Sequence, residues 1–284
     1  MYIEVKDLTH IYSPGTNYAA TALDGVSLGI EKGEFVGLIG HTGSGKSTLI
    51  QHFNSLLKPT SGEVLIDGEN INADKSRLKH FRKKVGLVFQ YPEHQLFEMT
   101  VFKDVSFGPA NSGLTGDELR KRVVEALDAV GIGEELYETP PFELSGGQRR
   151  RIAIAGVLAI RPEILILDEP ASGLDPRGRA EILGKIGEMR ERFNMTVILV
   201  SHSMEDIARI CGRVLVLQGG KLILDGTPTQ VFSQAERLIE TSLAVPDLYL
   251  LRSLLAQGGI DLPPQNTVEQ MAQALHATLG GACA

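Results

Sequence analysis

Cysteine is scarce in this chain. Two of its 284 residues, Cys211 and Cys283, carry thiols, and they stand far apart with no C-x-x-C spacing. A disulfide framework and a thiolate metal site are thereby excluded, and the pattern is that of a reducing cytoplasm. Long apolar runs are also missing. A helix that spans a bilayer takes about 20 apolar residues, whereas the run from Ile152 to Ile160 is short and broken by Gly156. The chain is expected not to cross a membrane alone, so a role in transport requires a separate membrane partner. The opening MYIEVKDLTHIYS lacks a basic start followed by an apolar stretch, and no signal peptide is expected. Surplus positive charge is absent too. A net charge of −7 argues against nucleic acid as a main partner. No internal repeat and no low-complexity tract is visible.

What is present is enough apolar material, 43%, to fill a core, and a length that suits one large domain with an appendage. Ile3, Val5, Val26, Leu28 and Ile30 alternate with polar residues and predict antiparallel strands in the first 38 residues. Residues 34–39 predict a buried strand running into a Gly-rich turn, and 46–57 a helix. Strands are expected at 62–67, with a turn on Asp67-Gly68, and at 85–89. From about 100 to 160 the pattern turns helical, with Leu119, Val123, Leu127 and Val130 at helical spacing. The all-apolar Ile164 to Leu167 predicts a strand buried on both faces. A helix over 178–193, a strand over 196–200, a helix near 204–211 and a hairpin turning on Gly219-Gly220 follow. Alternating strands and helices predict an α/β fold with a parallel sheet. An antiparallel β subdomain precedes it and a helical subdomain, about 91–160, is inserted in it. Beyond about 235, Leu248, Leu251 and Leu255 form one helical stripe; Thr267 and Gln270 fit a capping box, and Val268, Met271, Leu275 and Leu279 form a second stripe. These read as a small C-terminal helical domain.

Residues Gly40-His41-Thr42-Gly43-Ser44-Gly45-Lys46-Ser47 match G-x-x-x-x-G-K-[ST], with an expected strand before and a helix after. The glycines let backbone N–H groups turn inward around phosphate oxygens, and the helix N-terminus adds its positive end. Lys46 is expected to reach the β- and γ-phosphates and Ser47 to hold Mg²⁺. The strand ending in Asp168-Glu169 presents two acids at the sheet edge where ligands bind in such folds. Asp168 is placed to hold Mg²⁺ through water, and Glu169 to polarise an attacking water. Gln90 and His202 also follow apolar strands. A Gln there can touch Mg²⁺ or the water, and a His can hydrogen-bond the γ-phosphate; each alone reads as an ordinary loop residue.

Leu144-Ser145-Gly146-Gly147-Gln148 has a plain reading, because Ser145 and Gln148 have the spacing of a helix capping box. A cap does not call for two glycines, each of which costs about 1 kcal/mol in a helix relative to alanine. Bare N–H groups beside a Ser hydroxyl make an anion site. The chain then has two phosphate sites that one nucleotide does not obviously use within one subunit.

The set Gly40 to Ser47, Gln90, Leu144 to Gln148, Ile164 to Glu169 and His202, over residues 1–234, resembles the ATP-binding-cassette ATPases, with no departure at the catalytic positions. The resemblance implies an active ATPase and a head-to-tail dimer. ATP then lies between the cradle of one subunit, continued by Thr48, and Ser145, Gly146, Gly147 and Gln148 of the other. Tyr12 matches the aromatic that stacks on adenine, with Tyr18 as a competitor, and Ala171-Ser172-Gly173-Leu174-Asp175 matches the loop that communicates across the dimer. The segments Gln90-Tyr91-Pro92-Glu93-His94-Gln95-Leu96-Phe97 and Phe107-Gly108-Pro109-Ala110-Asn111 resemble the energy-coupling factor branch, closest to the second of its two ATPase isoforms. That branch powers bacterial uptake of vitamins and of metal ions such as cobalt. The resemblance implies a transmembrane coupling subunit contacting residues 90–101, a substrate-binding membrane subunit, and a peripheral location on the cytoplasmic face of the membrane. It also implies a sister cassette, with a heterodimer favoured and a homodimer open, and a dimerisation role for the extension 235–284. The motor of another importer class is the alternative. A soluble cassette of chromosome maintenance places a long coiled coil between the halves of the site, yet Lys46 and Asp168 are only 122 positions apart, without sustained heptads between them. Ribosome-associated cassettes usually carry two cradles, and a small-molecule kinase leaves residues 145–148 unexplained.

Overall fold

The computed structural model describes residues 1–263 and 268–280. The chain begins with β1 (Ile3–Tyr12) and β2 (Ala20–Ile30), then β3 (Phe35–Ile39), α1 (Lys46–Phe53), β4 (Ser61–Ile66) and β5 (Glu69–Asn70). Next come α2 (Leu78–Lys84), β6 (Val85–Val88), α3 (Val101–Asn111), α4 (Gly116–Ala129) and α5 (Gly146–Leu158). β7 (Ile164–Asp168), α6 (Pro176–Phe193), β8 (Thr196–Val200), α7 (Met204–Ile210), β9 (Arg213–Gln218) and β10 (Lys221–Gly226) complete the sheets. α8 (Pro228–Phe232), α9 (Ala235–Glu240), α10 (Asp247–Gln257) and α11 (Val268–Gly280) follow. Among the described residues, no helix is long and apolar enough to cross a membrane.

Two sheets form the frame. The smaller is antiparallel, in the order β2-β1-β4-β5, and the larger runs β10-β9-β3-β8-β7-β6. All neighbours in the larger sheet are parallel except the hairpin of β9 and β10 at its edge. Its strands β3, β6, β7 and β8 are almost wholly apolar and buried because both faces are covered, whereas the edge strand β10 is partly exposed. Alternation along each strand divides the side chains. Leu165, Leu167, Val197 and Leu199 face the core shared with α3 to α6, while Ile164, Ile166, Ile198 and Val200 face the core shared with α1 and the antiparallel sheet. Parallel strands end on one edge, so the C-terminal ends of β3, β6, β7 and β8 lie together.

Several boundaries differ from expectation. α1 stops at Phe53, because the chain leaves the helix at Asn54 and Ser55 takes a positive φ of 53°. β6 ends at Val88, one residue early. α6 starts two residues early, with Pro176 in its first turn and Asp175 accepting from the Gly178 N–H as N-cap. The stripe expected in α10 is rotated. Tyr249 is its buried residue and packs on Phe232 at a ring separation of 5.4 Å, whereas Leu251 is 40% exposed. In α11, Met271 is buried and Val268 is exposed. The expected capping box involves Thr267, which lies outside the described residues, as does Cys283.

Candidate active site

The cradle lies between β3 and α1. Gly45 caps α1 with φ 104°, and a Cβ there would stand 2.5 Å from the Ala22 carbonyl oxygen, so glycine is required. With no side chain at the cap, the first-turn N–H groups are left for a ligand. Lys46 is buried and folds back, its Nζ donating to the carbonyls of Gly40 at 2.6 Å and His41 at 3.0 Å. Burial holds the Lys46 ammonium below its ordinary pKa, against the opposite pull of Glu169 and Asp168.

The cradle opens on a cavity of about 420 Å³ lined by Tyr12, Thr42, Gly43, Gly45, Lys46, Ser47, Thr48, Gln90, Asp168, Glu169 and His202, together with Ala22 and Val200. The cavity brings together residues singled out in the sequence from the ends of five strands, β1, β3, β6, β7 and β8, and the sequence reading missed only the two apolar liners. Gly40, His41 and Ser44 do not face the cavity; Ser44 is buried beneath it, and His41 turns its Nδ1 to the Thr42 carbonyl at 2.6 Å. Ser47 Oγ lies 3.5 Å from Asp168 Oδ2. Burial pushes the Asp168 carboxyl up, and it pushes Glu169 further, to about 7. Glu169 has a positive φ of 52°, and its N–H donates to the Val200 carbonyl at 3.0 Å. Such a backbone costs about 1–3 kcal/mol and is typical of functional positions. Its buried Oε1 has no hydrogen-bond partner, although His202 Nε2 lies 3.5 Å away. The His202 imidazole is held down by burial and by Lys46.

No cluster of three His, Cys, Asp or Glu able to hold a metal exists among the described residues. Mg²⁺ does not need one, since it binds through one or two carboxylates with substrate phosphates and water. The Ser47 and Asp168 oxygens, with an unpartnered Glu169 oxygen nearby, suit that ion.

Tyr12 lines the cavity, while Tyr18 is 86% exposed and outside it. Tyr12 is held by its hydroxyl 3.1 Å from Thr48 Oγ1 and by an edge contact with His10 at 4.5 Å. Behind it, His10 Nδ1 lies 3.1 Å from Nε2 of fully buried His52. Burial, then the neighbouring His10, pushes the His52 imidazole down to about 4 from its ordinary 6.5. Between these two values the unfolded chain takes up a proton that the folded chain does not. Stability is therefore expected to fall as pH drops from 6.5 towards 4, by about 3 kcal/mol at the lower end. Thermal denaturation across this range checks it, and His52→Leu is expected to flatten the dependence.

The 145–148 segment lies elsewhere. Ser145, Gly147 and Gln148 line a second cavity of about 350 Å³ with Arg151, Gly173, Leu174 and Asp175. The capping box is formed: Ser145 Oγ accepts from the Gln148 N–H at 3.3 Å, and Gln148 Oε1 accepts from the Ser145 N–H at 3.0 Å. A Cβ at Gly146 would meet nothing within 4 Å, and one at Gly147 would only touch Leu174 at 3.8 Å. Neither has a positive φ. The folded chain gives no steric reason for either glycine.

Known proteins resemble the chain along most of its length. Residues 23–172 match the family described as ABC transporter. The energy-coupling factor transporter ATP-binding protein EcfA2 of Caldanaerobacter subterraneus subsp. tengcongensis is 56% identical over 93% of this chain and 92% of its own. The structure of cbiO1 from Clostridium perfringens, described as part of the ABC transporter complex cbiONQ, aligns with a TM-score of 0.76 at 42% identity, covering 88% of this chain and 98% of that one. The cassette MJ0796, solved as a dimer in a post-hydrolysis state with ADP and Pi, aligns with a TM-score of 0.71 at 34% identity, covering 80% and 98%.

Proposed function

The chain belongs to the ABC transporter family, among the energy-coupling factor transporter ATP-binding proteins, as an ATP-hydrolysing enzyme coupled to transport; from that premise we propose that it works as one half of a head-to-tail pair, with each ATP held between the cradle of one subunit and the 145–148 segment of the other. The observation that carries this reading is the pair Gly146 and Gly147. Their own chain leaves room for a side chain at both, so their bareness suits a ligand brought from outside to the start of α5. The dimeric form of the 34%-identical cassette with ADP and Pi supports pairing of two cassettes.

In this reading Tyr12 stacks on adenine. The N–H groups of cradle residues that line the cavity, Gly43 and Gly45 to Thr48, hold the phosphates, with Lys46 released from the Gly40 and His41 carbonyls to meet them. Ser47, Asp168 and Gln90 would hold Mg²⁺, which when bound neutralises phosphate charge. Glu169, its Oε1 without a partner, accepts the proton of the attacking water, and His202 donates to the γ-phosphate. Pairing with a sister cassette is favoured, a choice supported by the isoform numeral in the relatives' name, and pairing of two copies of this chain is the alternative. It sits peripherally on the cytoplasmic face of the membrane. There a transmembrane coupling subunit docks on the exposed Tyr91, Phe97, Met99 and Phe107, and a substrate-binding membrane subunit supplies a vitamin or a transition-metal ion. Isolation of the tagged chain from mild-detergent extracts tests the assembly. An integral membrane protein and a second cassette are expected to come with it in fixed ratio. Recovery of this chain alone from membranes and cytosol would count against the reading.

A further inference from the structure

Arg150 joins three segments that are far apart in sequence. It lies in α5, two residues beyond Gln148, and its side chain is only 5% exposed. Nε and Nη2 donate to the two carboxylate oxygens of Glu93 at 3.1 and 2.7 Å, and Nη1 donates to the Ser172 carbonyl. Burial pushes the Glu93 carboxyl up, but the Arg150 hydrogen bond and charge, with a backbone hydrogen bond, outweigh it and hold the group below the usual carboxylate range. Glu93 sits in the single turn Pro92–Gln95, which follows the exposed Tyr91, and stands three residues after Gln90 of the cavity. Ser172 lies in the loop after β7, and its N–H donates to the Glu169 carbonyl at 3.1 Å. One guanidinium thus ties the exposed turn, the start of α5 and the loop carrying Glu169.

A buried ion pair of this kind is weak evidence for stability. Well-packed apolar replacement of both partners is often neutral, and retaining the charges is best explained by register or switching. The planar fork also matters, because three donors leave Arg150 in fixed directions that a lysine ammonium on a flexible stem cannot reproduce. In the turn, Pro92 and Leu96 are buried while Tyr91, Phe97 and Met99 are exposed, so apolar packing holds one side of it only.

We propose that Arg150 is a positioning residue that carries movement of the 91–97 turn, pressed by the membrane partner, to the start of α5 and to the Glu169 loop. Through it, docking on one face of the subunit sets the 145–148 segment that serves the other subunit's ATP. This rests on the head-to-tail reading above.

The test uses the assembly isolated from membranes through a tag on this chain, and compares Arg150→Lys and the double variant Glu93→Met with Arg150→Met. ATP affinity of the variant chains is expected within twofold of the parent, and KM for ATP in the assembly likewise. kcat in the assembly is expected to fall at least tenfold in the double variant and to an intermediate value in Arg150→Lys, which keeps a charge on Glu93 but gives up the Ser172 carbonyl. Parent kcat in both variants overturns the inference. Ser145→Arg in the same assembly separates the two ideas. If it alone lowers hydrolysis, the head-to-tail reading stands and the role of Arg150 falls; if it hydrolyses at the parent rate, the reading itself fails and the inference with it.

Discussion

Glu169→Gln is expected to bind ATP and barely hydrolyse it, with kcat reduced about 10²- to 10⁴-fold, the usual contribution of a positioned general base. The amide keeps the shape of the carboxyl and cannot take the proton of an attacking water. Glu169 is the strongest candidate on geometric grounds. It directly follows β7 at the edge of the cavity, its positive-φ backbone donates to the Val200 carbonyl, and its Oε1 is buried with no hydrogen-bond partner. The same change removes a carboxylate from a site where ATP brings further negative charge. The ATP-bound dimer is therefore expected to persist, visible as a shift in sedimentation or light scattering that lasts as long as ATP does. Unchanged turnover in single-turnover measurements would remove Glu169 from the role of base.

Ser145→Arg is expected to leave ATP binding by the isolated chain within about twofold and to lower hydrolysis about 100-fold or more, the scale of losing one preorganised phosphate-facing donor site. The asymmetry follows from the two cavities. Ser145 does not line the one that holds Tyr12, Lys46 and Glu169, so the subunit's own nucleotide does not meet the new side chain. In the head-to-tail reading, a guanidinium at the start of α5 fills the place of the partner's phosphate. It also removes the cap that Ser145 gives the Gln148 N–H, worth about 1 kcal/mol, so melting is measured alongside. Equilibrium ATP binding and steady-state hydrolysis on one preparation give both readings.

The lining of the first cavity was legible in the sequence because most of its candidate residues follow apolar strands. In a parallel sheet, strand ends share an edge, so Lys46, Gln90, Asp168, Glu169 and His202 had to converge once the strands were recognised. The choice between Tyr12 and Tyr18 was not legible. Both are tyrosines near the end of a strand, and only the hydroxyl contact with Thr48 and the edge contact with His10 fix one of them at the cavity. Nor was the Arg150 junction legible, because its partners stand 57 and 22 positions away and it reads as one of three consecutive arginines. Leucine spacing misled in α10, where Tyr249, packed on Phe232, is buried while Leu251 of the expected stripe is exposed. In α1 the helical period continued past Phe53, but local bonds of Leu56 and Leu57 N–H to the Gln51 carbonyl close the end of the helix earlier.

A direct measurement of the shared site mixes two inactive variants, Lys46→Ala, which cannot hold its own ATP, and Ser145→Arg, which cannot serve its partner's. At protein concentrations where copies of this chain pair with one another, a mixed dimer contains one site with both halves damaged and one with both halves intact. Symmetry then predicts hydrolysis recovered to about a quarter of the parent rate in an equal mixture, from two preparations that are each inactive. Hydrolysis no greater than the sum of the separate variants, in mixtures shown to contain mixed dimers, would place each ATP within a single subunit and contradict the head-to-tail arrangement.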